Sequence, residues 1–400
     1  MSEPGEPASK SPAEPSLAAL ASIYFTVFLD LAGFGILLPA LPFFAQRLGA
    51  SGLELGLLFT SYSLAQLVGA ALLGRWSDRI GRRPVLLLSL AGSTVSMTLA
   101  GFAQGLLALF VARSFAGLFG GSISAAQAFI ADSTTRENRA KYMGLLGASI
   151  GAGFVFGPAL GAVLIFAGFD FSAAAFVSAG LAAANLLLAL FKLPESRPKE
   201  RRGTLTVLPS WASTFGRPEL APFLGCVFLT TFAFVGMEST LAYLVKARFG
   251  LDEKGFGLLL VFVGCIAIVI QGTLVGLLTR RFGERRVGSA GALMLGLSLL
   301  ALPFAPVLPA LMAALVVLAT GHGLLFPSLT TLLSKASGSE EQGSVLGVGQ
   351  SLGAAARATG PVAAGALYDL KIPLPFLLSG LLALVVAGWV RRTGSGNFGP

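Results

Sequence analysis

Twelve apolar stretches, roughly 18–28 residues each, divide this chain, and each is about long enough to cross a ~30 Å hydrocarbon layer as a helix. They fall near 17–45, 53–74, 84–103, 106–130, 142–168, 172–192, 221–246, 256–279, 288–305, 308–333, 344–367 and 374–390. Lipid offers the backbone no hydrogen-bond partners, so each stretch must satisfy its own amides and carbonyls by coiling. Composition agrees: 54% of the 400 residues are hydrophobic and only 12% charged, more apolar surface than a water-soluble chain of this length can hide. The expected fold class is all-α integral membrane, with the lipid bilayer as a partner.

A net charge of +9 suggests either a polyanionic partner or a membrane topology, and the placement of the cations decides between them. Of the 28 Lys and Arg, 21 fall on the side of the N-terminus, five (Arg47, Lys246, Arg248, Lys254, Lys371) on the other side, and two (Arg113, Arg357) inside predicted helices. This is the positive-inside distribution. It places both termini in the cytoplasm, with the chain in the plasma membrane (the inner membrane of a Gram-negative cell), and removes the reason to expect a nucleic-acid partner. Residues 1–16, rich in Pro, Ser and Glu without the basic start of a signal peptide, read as a disordered cytoplasmic tail. Cys226 and Cys265 show no spacing suited to a disulfide framework or a zinc site, and no cofactor or metal is expected.

The second half of the chain repeats the first. GRWSDRIGRRP from Gly74 matches GLLTRRFGERR from Gly276 at an offset of 202, Arg139 to Gly144 aligns with Gln342 to Gly347 at 203, and Gly157-Pro158 aligns with Gly360-Pro361 at 203. Three anchors in one order indicate a duplicated six-helix unit. The expected domains are an N-terminal bundle at 17–192, a charged and Pro-rich cytoplasmic linker at 193–220, a C-terminal bundle at 221–391 and a tail at 392–400. Paired bundles around one axis suit a site exposed to each side in turn, so carrying a solute is favoured over catalysis.

Four motifs resemble those of the major facilitator superfamily, in particular its twelve-helix drug:proton antiporter group, which includes tetracycline and multidrug efflux proteins. The loop signature is matched by Gly74, Asp78, Arg79, Gly81, Arg82 and Arg83. LFVARSFAGLFGG is similar to the helix 4 signature, with Arg113 and Gly117 in place and Ala116 where a Gln is usual. GFVFGPALGA, with Gly153, Gly157, Pro158 and Gly161, resembles the helix 5 antiporter signature, and AGFGILLPALP the helix 1 signature of the exporters. Tetracycline exporters carry further acids in helices 3 and 9, which are absent from 84–103 and 288–305 here. The resemblance therefore implies a drug exporter of this group more than a tetracycline exporter proper.

Each motif has a physical reading beside it. Asp78 among arginines can form a helix-end latch, with Arg136 or Arg139 as a partner in one state, while Gly74 and Gly81 permit tight turns; Arg82 and Arg83 alternatively serve topology alone. The glycines of helix 5 permit close packing that can slide or seal between bundles, and Pro158 bends the helix.

Asp30, Arg113, Glu238, His322 and Arg357 are ionisable residues inside apolar spans. A charge at mid-bilayer costs ~2.5–3.5 kcal/mol even on a lenient scale, so such residues usually face a cavity. A carboxyl met by a guanidinium in only one state can bind and release a proton as that partner comes and goes. The helix 4 resemblance makes Arg113 the candidate partner of Asp30, although helix rise sets the two at unequal depths, ~10 Å against ~22 Å from the outer end. Glu238 offers an acid from the second bundle; either acid could instead be neutral and hydrogen-bonded between helices. Arg357 is free to meet local carbonyls or an acid, and His322 to act as a relay or pack. Tyr24, Phe28, Phe34, Phe59, Tyr62, Phe232, Phe234 and Tyr243 are candidate lining residues.

The function expected is export of lipophilic, cationic drugs or other small molecules by alternating access, in exchange for protons, by a monomer that is not an enzyme. No GxxxxGK[ST] loop is present to use ATP. Alternatives are a uniporter or proton symporter for a metabolite, sugar or organic anion, a membrane-embedded transferase, or a receptor.

Overall fold

A computed structural model describes residues 17–134, 136–196, 217, 219–337 and 342–392. The expected tail at 1–16, nearly all of the tail at 392–400 and most of the 193–220 linker lie outside them. All described elements are helical. The first six spans are α1 (Leu17–Ile36, resuming as Leu41–Arg47), α2 (Gly52–Ile80), α3 (Arg82–Gly101), α4 (Leu106–Phe119, resuming as Ser122–Ser133), α5 (Arg136–Phe166) and α6 (Phe171–Lys192). The second six are α7 (Ala221–Phe249), α8 (Glu253–Val269, then a π turn Ile270–Leu274, then Val275–Phe282), α9 (Glu284–Ala301), α10 (Leu308–Ala336), α11 (Gln342–Leu370) and α12 (Leu374–Arg392).

Eleven of these spans are long and apolar enough to cross a membrane among the described residues. The remaining one, α11, is 29 residues long but diluted by Gln350, Arg357 and several glycines. It packs against α2 of the other half and α7 of its own. Breaks in the other spans have local causes. Pro39 and Pro42 lack amide donors, so α1 stops at Ile36 and turns before restarting, and α4 parts at Gly120-Gly121, where no side chain stabilises the helical backbone.

The duplication is visible in the packing. In the first half α1 lies against α5 and α6, α4 against α2 and α3, and α3 against α6; in the second, α7 lies against α11 and α12, α10 against α8 and α9, and α9 against α12. Gly81 and Gly283, 202 positions apart, both take positive φ, +110° and +79°, a conformation that β-carbons resist.

The halves meet along two related seams, α2 with α11 and α5 with α8. The first is built on glycine: a Cβ on Gly56 would stand 2.2 Å from the Pro361 carbonyl oxygen, and one on Gly365 2.1 Å from that of Gly52. Polar ties between the halves gather at the face opposite the basic loops. There Arg47 pairs with Glu253, Lys246 donates to Gln46, and Tyr243 donates to the Ala50 carbonyl at 3.4 Å. Nearer the basic face, a Cβ on Gly147 or Gly151 of α5 or on Gly272 or Gly276 of α8 would meet nothing within 4 Å among the described residues, whereas one on Gly257 would abut Ala162 across the seam.

Candidate functional site

Asp30 occupies the side of α1 that faces α3 and α4. Its two carboxylate oxygens accept hydrogen bonds from Ser93 Oγ at 3.1 Å and Ser122 Oγ at 2.5 Å. Ser122 is in position because α4 breaks at the preceding glycines and restarts there. Asp30, Tyr62, Gln66, Ser93 and Ser122 line a small cavity of ≈ 30 Å³, room for about one water.

Arg113 is more fully buried and makes no ion pair with this carboxylate among the described residues. It is only 2% exposed, and its guanidinium carbon sits 5.0, 6.0 and 4.8 Å from the ring centroids of Phe34, Phe59 and Tyr62. Its Nε and Nη2 have no hydrogen-bond partner among the described residues. Aromatic faces supply the negative potential that an acid would otherwise give. In this conformation, then, Asp30 is held by two hydroxyls and Arg113 by three rings. Tyr62 joins the two: its hydroxyl accepts from Gln66 Nε2 at 3.2 Å, and it lies in electrostatic range of Arg113, Asp30 and, across the seam, Arg357.

In the second half, Glu238 is exposed near the middle of α7 and has no hydrogen bond or ion pair among the described residues. Thr231, Phe234 and Glu238 follow at i, i+3 and i+7, so they share one helix face. Phe234 stacks on His322 with centroids 3.9 Å apart, and Phe326 follows at 6.0 Å; aromatic packing is what His322 does here. Arg357 of α11 lies alongside Gly353, where a Cβ would stand 3.5 Å from Arg357 Nη1 and 3.9 Å from Thr231 Oγ1. No acid pairs with it among the described residues.

The loop motif forms a network at the basic face. Arg82 is buried and donates from Nη1 to Asp78 at 2.9 Å and to Ser77 Oγ at 3.0 Å, and from Nε to Asp132 at 2.7 Å. Its amide donates to Glu195 at 2.9 Å, and Arg83 donates from Nη2 to the Leu190 carbonyl at 2.6 Å. Arg82 thus supplies one cation to Asp78 from within the motif; the side chains of Arg136 and Arg139 lie outside the described residues. Arg79 is exposed, and Gly74 has no neighbour within 4 Å, so the close turn belongs to Gly81 alone. Asp132 and Glu195 were not singled out in the sequence, where only their positions near helix ends marked them. At the equivalent place in the second half Lys335 pairs with Glu284 at 2.7 Å. The sites correspond, 82 to 284 and 132 to 335, with the charges exchanged.

Gly153, Gly157 and Gly161 of the helix 5 motif pack within their own half. Cβ atoms on Gly153, Gly157 and Gly161 would stand 2.6 Å from Leu31 Cβ, 2.7 Å from the Ala32 carbonyl oxygen and 2.1 Å from that of Ile36. That face welds α5 to α1, the helix carrying Asp30, instead of lining the boundary between bundles.

A family model described as Major Facilitator Superfamily matches residues 23–276 and 249–397. The chain is 32% identical over 387 residues to the tetracycline resistance protein, class C, of Escherichia coli, covering 94% of this chain and 96% of the relative. It is 29% identical over 373 residues to multidrug resistance protein 2 of Bacillus subtilis (strain 168), covering 90% and 92%. Among solved structures, that of the human organic anion transporter MFSD10 (TETRAN) aligns with a TM-score of 0.71 and 26% identity over 94% of this chain and 100% of that one.

Proposed function

Because the chain belongs to the major facilitator superfamily, we propose that this multi-pass membrane transporter exports lipophilic compounds bearing a cationic group in exchange for protons, with both termini in the cytoplasm. One set of observations supports the reading: polar contacts tie the halves at the outer face, α5 and α8 glycines nearer the basic face meet nothing within 4 Å among the described residues, and Glu238, exposed within the apolar span of α7, has no ion pair among them. In that state Glu238 attracts a cationic solute from the cytoplasm. Opening the outer seam exposes it to protons, which displace the solute, and the protonated carrier returns. With the interior negative, each elementary charge entering releases ~2.3 kcal/mol per 100 mV.

Asp30 supplies the coupling step in this scheme. As a carboxylate it accepts from both Ser93 and Ser122. Once protonated, it becomes a donor, and one serine hydroxyl rotates to accept. Proton uptake therefore changes the contact that ties α1 to α3 or α4 without leaving a buried group unsatisfied. Because the α5 glycines fix α5 to α1, the change reaches α5, one of the seam helices.

Transport of organic anions is a second reading, favoured by the unpaired Arg357 and by likeness to the human organic anion transporter. Proteoliposomes test the first reading. An ethidium gradient should drive proton flux in the wild type, and Asp30→Asn and Glu238→Gln should abolish it while the protein remains folded. Normal coupling in both variants would remove the acids from the mechanism; ethidium movement without proton flux would remove antiport.

A further inference from the structure

We propose that the basic-face ends of α8, α9 and α12 bind the headgroup of an anionic phospholipid, whose phosphate supplies a negative charge that the first half provides from its own chain. The ground for it is a reversal of charge between the repeats. In the first half Arg82 is shared by Asp78 and Asp132, one cation between two acids, and ties α2, α3 and α4 together. The corresponding positions of the second half are Glu284, Arg280 and Lys335, one acid among cations. Glu284 pairs with Lys335, and Arg280 has no ion pair among the described residues. The joint therefore holds α9 to α10 and leaves out α8, whose last turns, Val275–Phe282, bury no residue.

Further cations gather at this corner. Arg281 and Arg286 are exposed and have no ion pair among the described residues; the Arg281 guanidinium lies 5.3 Å from the centroid of the Phe282 ring. The end of α12 arrives beside them. Ser289 of α9 donates to the Ala387 carbonyl at 2.9 Å, and a Cβ on Gly288 would stand 3.6 Å from Val390 Cγ1, which brings Arg391 and Arg392 alongside the first turn of α9. In the first half the matching stretch keeps its own acid, since Asp78 stands three residues from Arg75 and next to Arg79.

The adjoining surface identifies the anion as a lipid. Leu277 and Arg281 are four residues apart and share one face of α8, and Leu274 and Leu277 are 37% and 63% exposed. An apolar column that ends in a guanidinium repeats the order of a phospholipid, acyl chain and then phosphate. Free phosphate would meet the arginines and leave the leucines uncovered. Guanidinium forks bind phosphate oxygens in pairs, so one headgroup can join α8 to its neighbours where no carboxylate does.

Native mass spectrometry of the full chain in detergent, titrated with phosphatidylglycerol or with phosphatidylcholine of the same acyl chains, reads the affinity of the first lipid bound. The wild type should hold phosphatidylglycerol at least about tenfold more tightly, and Arg280→Gln with Arg281→Gln should remove that preference. Arg280→Lys with Arg281→Lys keeps the charges and should retain most of it. Arg75→Gln with Arg79→Gln removes as much charge from the first half and should leave it unchanged. Thermal unfolding in phosphatidylcholine nanodiscs checks that each variant is folded; should the first pair unfold, Arg286→Gln with Arg391→Gln carries the same expectation. No preference in the wild type, an equal loss in the glutamine pairs of both halves, or glycerol 3-phosphate bound as tightly as the lipid would overturn the proposal.

Discussion

Asp369 accepts hydrogen bonds of 2.8 Å from the amides of both Gly52 and Leu53, so a carboxylate of the second half caps the first turn of a first-half helix. Ser51 and Glu54 complete that turn with a capping box, and the amides freed at the start of α2 are satisfied partly by its own sequence and partly by α11. The arrangement requires glycine: a Cβ at Gly52 would stand 2.6 Å from Asp369 Oδ1. Closure of the outer face is thus coupled to the capping of one helix.

Asp369→Asn loses the charge and one acceptor, worth about 1 kcal/mol at a helix N-terminus. Since the contact exists only with the outer face closed, the ratio of outward-open to inward-open molecules should rise about fivefold. Spin labels at Phe102 and Val307, both exposed and in opposite halves, would report the change as a larger long-distance fraction; an unaltered distribution would deny Asp369 this part.

The glycine seam makes a second prediction. Gly56→Ala and Gly365→Ala each force α2 and α11 apart and should favour outward opening more strongly than Asp369→Asn, because the obstruction is backbone and has nowhere to move. Gly147→Ala and Gly276→Ala, where nothing stands within 4 Å, should leave the same distance distribution unchanged.

Arg82→Ala and Lys335→Ala break corresponding ion pairs with unequal effect. Arg82 is 7% exposed and serves Asp78 and Asp132 at once, whereas Lys335 is 61% exposed. Losing the first should cost about 3 kcal/mol and losing the second under ~1 kcal/mol. Thermal unfolding in detergent would rank them, and comparable losses would show that the Arg82 network is no stronger than a surface pair.

Arg113→Lys retains the charge but not the plane that lies among three rings, and should lower stability by about 1–2 kcal/mol. Tyr62→Phe keeps the ring face, loses only the hydroxyl that accepts from Gln66, and should cost less in the same unfolding assay.

Much of this was legible from local chemistry. The spans, the 202-residue offset of the loop motif and the residues charged against their surroundings all depend on composition or spacing near one point of the chain. Pro39 and Pro42 signal the break in α1, and Gly120-Gly121 the break in α4. What remained hidden depends on distant partners. Ser93 and Ser122 lie 63 and 92 residues from Asp30, and nothing marks them among the many serines of apolar helices. Asp132 and Glu195 were hidden for the same reason. Arg113 suggested an acid because charge seeks charge, while its surroundings are π faces assembled from two helices.

Arg82 with Asp132 and Glu284 with Lys335 form one joint built twice with reversed polarity. A newly inserted chain carries two near-copies of the same hairpin, α3–α4 and α9–α10, and near-copies are liable to trade partners. An exchanged docking would set Arg82 against Lys335 and Asp132 against Glu284, two repulsive contacts at once. Opposite polarity lets each half recognise its own helices during assembly, a safeguard against misfolding that a faithful duplicate would lack.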